Sequence, residues 1–267
     1  MVFDMSITVR RSVTRISAGD EQPRLIDDDV AADRVLEVFV GNEYFRTFLC
    51  SPGLERELAL GHLLAQGVID SADEIEHIHS KESRVSVILK TNRLSRLEAS
   101  KIDRLITISC GAVTSQTNLL TRLRPPHTYS SLHISAARIL ELVRDLNLRS
   151  QVFKATGGTH SAMLCDENGK VLAYAEDVGR HNAVDKVIGI VAFMKHDFSQ
   201  CILVSSGRQS GDMVLKAATA GVPIVVSQAA PLDSGIKVAL DTGVTLVCFV
   251  RGRRMNIYTG PERILVD

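Results

Sequence analysis

Cys110 is placed where a thiol could be a tool. In DRLITISCGAVTSQTNLL the apolar, β-branched run Leu105 to Ile108 delivers Cys110 into Gly111 and then into the small polar stretch Ala112 to Asn118. A thiol reacts as its thiolate, which requires access to solvent and some positive potential. A strand end followed by glycine offers the access, and Arg104, Arg122 and Arg124 are near in sequence. The other cysteines read differently. Cys165, Cys201 and Cys248 lie within apolar runs and Cys50 ends one, so they read as small core residues. Pattern alone leaves Cys110 open between a reactive thiol and one more core residue.

Three further stretches gather polar chemistry directly after apolar runs. In EDVGRHNAVDK, Glu176 to Lys186, Gly179 permits a tight turn and Arg180 and His181 sit at a helix start, with Asn182 a possible cap and Asp185 in the first turns. Free backbone N–H groups there favour an anion such as phosphate, although a capped helix start with solvated charges has the same pattern. In SSGRQSGDM, Ser206, Gly207 and Arg208 offer a hydroxyl, a backbone amide and a guanidinium to one phosphate, or form a plain strand-to-helix turn. It is not a Walker loop, because GxxxxGK[ST] is absent. In FVRGRRMNIYTGPERI, Phe249 and Val250 lead into Arg251, Gly252, Arg253 and Arg254, where arginines around glycine can chelate phosphate oxygens or simply decorate a solvated hairpin tip. ATGGTHSAM adds His160 behind Gly157-Gly158, which would let a ligand approach the backbone closely. A lone histidine at a strand start is otherwise hydrogen-bonded structure.

The elements that must position these groups follow from periodicity. The first twenty residues read as a strand or arm ending in a polar turn, and RVLEVFVGNEYFRTFLCS as a hairpin about Gly41-Asn42. A helix opens at Pro52 and stops at Gly67, and EIEHIHSKESRVSVILKT gives two more strands. Pro125-Pro126 marks the boundary between a β-rich N-terminal lobe, residues 1–125, and a second domain, residues 126–267. That domain starts with a helix over Ser135 to Asn147 and a hairpin about Asn168-Gly169. Helices and continuously apolar strands then alternate: RHNAVDKVIGIVAFMK, QCILVSS, SGDMVLKAATAG, VPIVVSQ, PLDSGIKVALDTG and VTLVCFV. Such alternation predicts a largely parallel sheet covered on both faces, with ligands beyond the carboxyl ends of its strands.

Composition narrows the class. The chain has 267 residues, 45% of them hydrophobic, no Trp, and no net charge, so anion binding must come from local clusters and no nucleic-acid polymer is expected as partner. Five scattered cysteines without a CxxC pair argue against a structural zinc site or a disulfide framework and fit a reducing cytoplasm. MVFDMSITVRRSVTRIS lacks the apolar core of a signal peptide, and no run of about 18 apolar residues predicts a membrane span. A zinc-dependent nucleobase deaminase would need HxE and PCxxC. Neither is present, since Ser161 and Ala162 follow His160.

Taken together, ELALGHLLAQGVI, SCGAVTS, TGGTHSAML, EDVGRHNAVDKVIG, SSGRQSGDMVLKAATAGVPIVVSQAAP and GVTLVCFVRGRRMNIYTGPERI resemble, in order and separation, the FdhD family of sulfur-transfer accessory proteins for formate dehydrogenase. The resemblance implies an α/β fold with a cytidine-deaminase-like three-layer core and a mixed sheet, beside the β-rich N-terminal lobe, in a homodimer. It implies a sulfurtransferase: a cysteine desulfurase supplies persulfide sulfur, Cys110 carries it, and it passes to the molybdenum or tungsten bis(guanine dinucleotide) pterin cofactor, Mo-bis(molybdopterin guanine dinucleotide), destined for the formate dehydrogenase catalytic subunit. That cofactor is a bound acceptor, and no permanent metal is implied. Phe249 to Arg254 match the part of the family taken to bind the cofactor. Two pyrophosphates in such a ligand would also suit Gly179, Arg180, His181, Ser206, Gly207, Arg208 and His160, and their positive potential would favour the Cys110 thiolate. The chain departs from the family's CGxCG loop: Val113 and Thr114 replace the second cysteine and glycine. A single-thiol relay is left, with a non-catalytic cofactor-binding chaperone as the alternative.

Overall fold

The computed structural model describes residues 7–19, 21–91, 93, 95–98 and 126–266. Cys110 with its flanking segment, and Arg104, Arg122 and Arg124, lie outside the described residues.

Near the N-terminus β1 (Thr8–Arg15) and β2 (Arg24–Ala31) pair antiparallel as a mostly exposed ribbon. The four strands that follow alternate as half-buried strands should, apart from two bulges. In β3 (Arg34–Val40), Leu36, Val38 and Val40 point inward while Val35 and Glu37 are exposed. It turns at Gly41-Asn42 into β4 (Glu43–Cys50), and β5 (Ile75–Lys81) and β6 (Arg84–Leu89) complete a sheet of order β4-β3-β6-β5.

Between β4 and β5 runs α1 (Glu55–Ala65), whose residues Leu58 to Ala65 are all buried. A helix buried all round lies between layers. One side meets the four-stranded sheet and the other crosses the helix Arg180–Phe193. Burying Leu58, Leu60 and Leu63 completely contributes about 1.5–3 kcal/mol each.

The second half starts with the short β7 (Ile134–Ser135), and Ser135 caps the amphipathic α2 (Ala136–Arg149) by accepting from the Arg138 N–H at 3.2 Å. α3 (Gln151–Thr156) is a single short turn that the sequence pattern did not announce. The main sheet comprises β8 (His160–Cys165), β9 (Val171–Asp177), β10 (Ile202–Ser205), β11 (Ile224–Ser227), β12 (Thr245–Arg251) and β13 (Arg254–Thr259), in the order β13-β12-β11-β10-β8-β9. In this sheet only the β10–β11 and β11–β12 pairings are parallel. The expectation of a largely parallel sheet is thus corrected. Both ends of the sheet are hairpins, and a hairpin reverses its strand. The mixed sheet implied by the family resemblance is the one found. The short β14 (Ile264–Leu265) pairs with β7.

Pleating divides the core. Ile202, Val204, Ile224, Val226 and Val247 pack under α2, whereas Leu203, Val225, Leu246 and Cys248 face the other side. There α4 (Arg180–Phe193), α5 (Gly211–Ala220) and α6 (Asp233–Thr242) cover the sheet. The larger apolar cluster continues without a break into α1 and the four-stranded sheet. Among the described residues no helix is long and apolar enough to cross a membrane.

The crossing of α1 and α4 depends on two glycines. A Cβ on Gly61 would lie 1.8 Å from the Asp185 carbonyl oxygen, and one on Gly189 would lie 1.9 Å from that of Glu57. Each helix presses a glycine onto the other's backbone, which cannot yield as a side chain does. Gly61→Ala is therefore expected to lower unfolding free energy by roughly 3 kcal/mol or more, read from urea denaturation. A loss under about 1 kcal/mol would contradict this close approach.

Candidate functional site

The first polar cluster forms where the start of β8 meets the carboxyl end of β10. Ser206 donates its N–H to the Ser161 carbonyl at 2.9 Å, and its Oγ accepts the Ser161 N–H at 2.9 Å, so the loop after β10 is clamped to β8. His160 Nδ1 lies 3.3 Å from the same hydroxyl. Burial, then the charges of Arg180, His181 and Arg208, lower the His160 pKa below its ordinary value. The ring is therefore neutral near pH 7. Gly207 rests on Arg180, where a Cβ would lie 2.9 Å from Arg180 Cβ. Among the described residues Arg180 Nε is buried without a hydrogen-bond partner, which is costly unless something else accepts from it. The fold thus brings together His160, Arg180, His181, Ser206, Gly207 and Arg208 from three separate stretches. Guanidinium groups, a hydroxyl and a neutral imidazole converge there, and an anionic ligand fits that donor set.

Much of EDVGRHNAVDK does another job. Gly179 is the helix N-cap, and Asn182, expected as a cap, lies inside α4. Its Nδ2 donates to Asp177 Oδ1 at 2.9 Å and to the Leu49 carbonyl at 2.8 Å. Asp177 also accepts from Ser51 N at 3.1 Å and pairs with Lys186 Nζ at 2.7 Å, while Lys186 donates to the Ser51 carbonyl. These groups are buried and bolt the end of β4 to the first turns of α4. Glu176 similarly accepts from Val152 N, Phe153 N, Thr159 Oγ1 and Tyr174 OH, fixing α3.

One turn further along α4, Asp185 pairs with Lys216 of α5 at 2.7 Å and with His62 Nδ1 at 2.7 Å. Arg46 Nη1 lies 2.7 Å from His62 Nε2. A guanidinium can only donate, so Nε2 accepts and Nδ1–H donates to Asp185. Burial and the Lys216 charge push His62 down to about 3 against the pull of Asp185. At the helix ends above, His181 Nε2 meets Asp212 Oδ2 at 2.7 Å. Burial alone would raise the Asp212 carboxyl, but His181 holds it well below the usual range. Charged residues in the apolar helix run NAVDKVIGIV are the sequence signal for these internal pairs, because a buried charge needs a partner.

The third stretch forms the end of the β12–β13 hairpin. Phe249 has φ +53°, a left-handed conformation for a bulky residue, within an irregularity between Cys248 and Arg251. Its N–H donates to the Ala229 carbonyl at 3.1 Å, and Arg251 Nε donates to the Gln228 carbonyl at 3.0 Å. Phe249 packs on the larger core and Val250 is buried in the smaller one. Arg251, Gly252, Arg253 and Arg254 are exposed. β11 separates this hairpin from the His160 cluster, a spacing of about 10 Å between β10 and β12. The junctions are joined across it: Ser227 Oγ donates to the Gly207 carbonyl at 2.8 Å and accepts from Ala229 N at 3.0 Å.

The remaining cysteines are buried. Burial pushes Cys50 up to about 11 and Cys165, Cys201 and Cys248 up to about 12, so none is a ready nucleophile. Among the described residues no three His, Cys, Asp or Glu side chains gather as a metal site.

A family model described as the FdhD/NarQ family matches residues 31–265. Sulfur carrier protein FdhD of Bacillus pumilus is 36% identical over 89% of this chain and 90% of its own length. The protein of the same name from Methanothermobacter thermautotrophicus is 34% identical, over 92% and 95%. A crystal structure from Desulfotalea psychrophila, described as a candidate formate dehydrogenase accessory protein, superposes with a TM-score of 0.77 at 27% identity, covering 97% of this chain and all of that one.

Proposed function

The chain belongs to the FdhD/NarQ family, and from that premise we propose that it is a sulfur carrier serving formate dehydrogenase, with Cys110 as the carrying thiol. The Cys110 thiolate attacks the outer sulfur of a persulfide on a cysteine desulfurase. A new S–S bond forms at Cys110, the donor S–S bond breaks, and the donor cysteine leaves as thiolate. In delivery the Cys110 S–S bond breaks in turn, Cys110 returns as thiolate, and the acceptor supplies the electron pair that takes the sulfur. The acceptor in this reading is the molybdenum or tungsten bis(guanine dinucleotide) pterin on its way to the formate dehydrogenase catalytic subunit. The setting is the cytoplasm, and the working form is a homodimer.

The observation that supports an anionic acceptor most directly is the convergence of His160, Ser206 and Arg208 on Arg180, whose Nε is buried without a hydrogen-bond partner among the described residues. Four other cysteines are buried and hard to ionise, which leaves Cys110 as the thiol to test. Intact-mass analysis after incubation with a cysteine desulfurase and cysteine should show a gain of one sulfur atom. Cys110→Ala should abolish that gain and the maturation of formate dehydrogenase with it. If Cys110→Ala matures the dehydrogenase as well as the parent chain does, the protein carries cofactor rather than sulfur.

A further inference from the structure

The four-stranded sheet ends on β5, and among the described residues no strand pairs with its outer side. β5 therefore presents an open row of backbone donors and acceptors, a template for another strand. Its side chains divide by the two-residue period of a strand. Ile78 packs on the larger core, whereas His77, His79 and Lys81 are exposed. Ser86 and Arg84 of β6 stand opposite His79 and Lys81. Lys81 across from Arg84 is a like-charge pair, which costs stability unless an anion offsets it. Neither makes an ion pair with a described residue. The Arg84 guanidinium carbon lies 3.7 Å over the Phe39 ring, so this cation is held close to the sheet rather than left loose in water. His79, Lys81, Arg84 and Ser86 line a hollow of about 320 Å³, in which Glu82 is the one carboxylate. Glu37 of β3 stands beside Arg84 in register without pairing with it, and Glu76 lies 3.9 Å from His77.

Lysine alone on an edge strand is ordinary protection against unwanted pairing. That role does not call for Arg84, one strand inward and stacked on Phe39, or for the hollow beside it. We propose that β5 is a docking strand for an extended, acidic segment of a partner protein, which joins the sheet edge through its backbone and lays carboxylates at alternate positions against His79, Lys81 and Arg84. β5 lies three strands from β4, about 14 Å. The end of β4 is the part tied to α4 near the His160 cluster, so a partner held on β5 leaves that cluster open. The docking strand stands or falls independently of the anionic-acceptor reading.

The probe is a fluorescent peptide, Thr-Glu-Val-Glu-Val-Glu-Thr, titrated into the full chain and followed by anisotropy. Its counterparts carry lysine in place of glutamate, or methyl groups on alternate backbone nitrogens. The glutamate peptide should bind at least about tenfold more tightly than the lysine peptide, and added salt should weaken it. Backbone methylation removes the ladder hydrogen bonds and should abolish binding. Lys81→Glu and Arg84→Glu should each weaken binding by about tenfold to a hundredfold, the range of a lost charge-assisted hydrogen bond. Lys81→Glu should not lower the melting temperature, because it turns a like-charge pair into an opposite one. Hydrogen exchange at the β5 amides should slow when the peptide is bound. Binding that survives methylation, is unchanged by both charge reversals or leaves β5 exchange unaltered would overturn the proposal, as would no binding at millimolar peptide. Protection of β5 in the free chain that disappears on dilution would assign the edge to a second copy of this chain instead.

Discussion

A chain carrying Arg180→Ala and Arg208→Ala will still acquire sulfur on Cys110 but will mature formate dehydrogenase about a hundredfold less efficiently than the parent. The prediction separates loading from delivery. In the proposed relay, loading needs only the thiolate and a donor persulfide, whereas delivery needs the acceptor held beside the thiol. Each charge-assisted bond to a phosphate contributes on the order of 1.5–3 kcal/mol, and neighbouring contacts are not additive, so two lost arginines give about two decades. Loss of fold is not the cause expected, because Arg180 Nε has no hydrogen-bond partner among the described residues and Arg208 is exposed. The checks are intact mass for loading, a reconstituted maturation assay for delivery, and thermal melting for folding. Maturation by the parent should also weaken with added salt more steeply than the residual activity of the variant. Equal maturation by parent and variant would remove the His160 cluster from the acceptor site.

The second large effect is on stability. Lys186 and Asp177 are 1% and 0% exposed and 2.7 Å apart. Lys186→Met leaves the Asp177 carboxylate buried without a counter-charge, for which the expected loss is about 3–5 kcal/mol. Adding Asp177→Asn should recover part of it, since removing both charges is far less costly than removing one. Urea denaturation of the parent, the single and the double variant reads both values, and a single variant as stable as the parent would refute the pairing. The neighbouring His62 adds a pH signature. Its folded pKa, about 3, is below the ordinary 6.5, so between these values the unfolded chain binds the extra proton. Stability contributed by the neutral ring is full above about pH 6.5 and is lost as pH falls towards 3. The slope is at most about 1.4 kcal/mol per pH unit. His62→Gln should flatten that slope between about pH 6 and pH 4, whatever its effect on absolute stability.

Local pattern was enough for most of the elements. The Gly41-Asn42 hairpin, α1, α2 and the alternation from α4 to β12 are all where apolar periodicity and turn residues place them. Strand direction was not legible, because β8 and β13 are as apolar or as mixed as parallel strands and only pairing tells them apart. The rim residues were legible by type but not by partnership. Arg180, His181 and Asn182 look alike as polar residues at a helix start, yet Arg180 faces the His160 cluster while Asn182 ties Asp177 to β4. What decides between them is the 3.6-residue turn together with the position of Leu49 and Ser51, well over a hundred residues earlier. The turn α3 has no periodic signal at all, since Glu176 makes it from a distant strand. The left-handed Phe249 escapes notice for the reverse reason: nothing local favours it, and the hydrogen bond to Ala229 imposes it.

The paired glycines where α1 meets α4 carry a consequence for motion. With backbone touching backbone at Gly61 and Gly189, neither helix can slide or rotate without driving a carbonyl into its neighbour. The crossing offers no hinge. The four-stranded and six-stranded sheets joined through it should melt in one cooperative step. Any opening of the molecule must leave this joint shut.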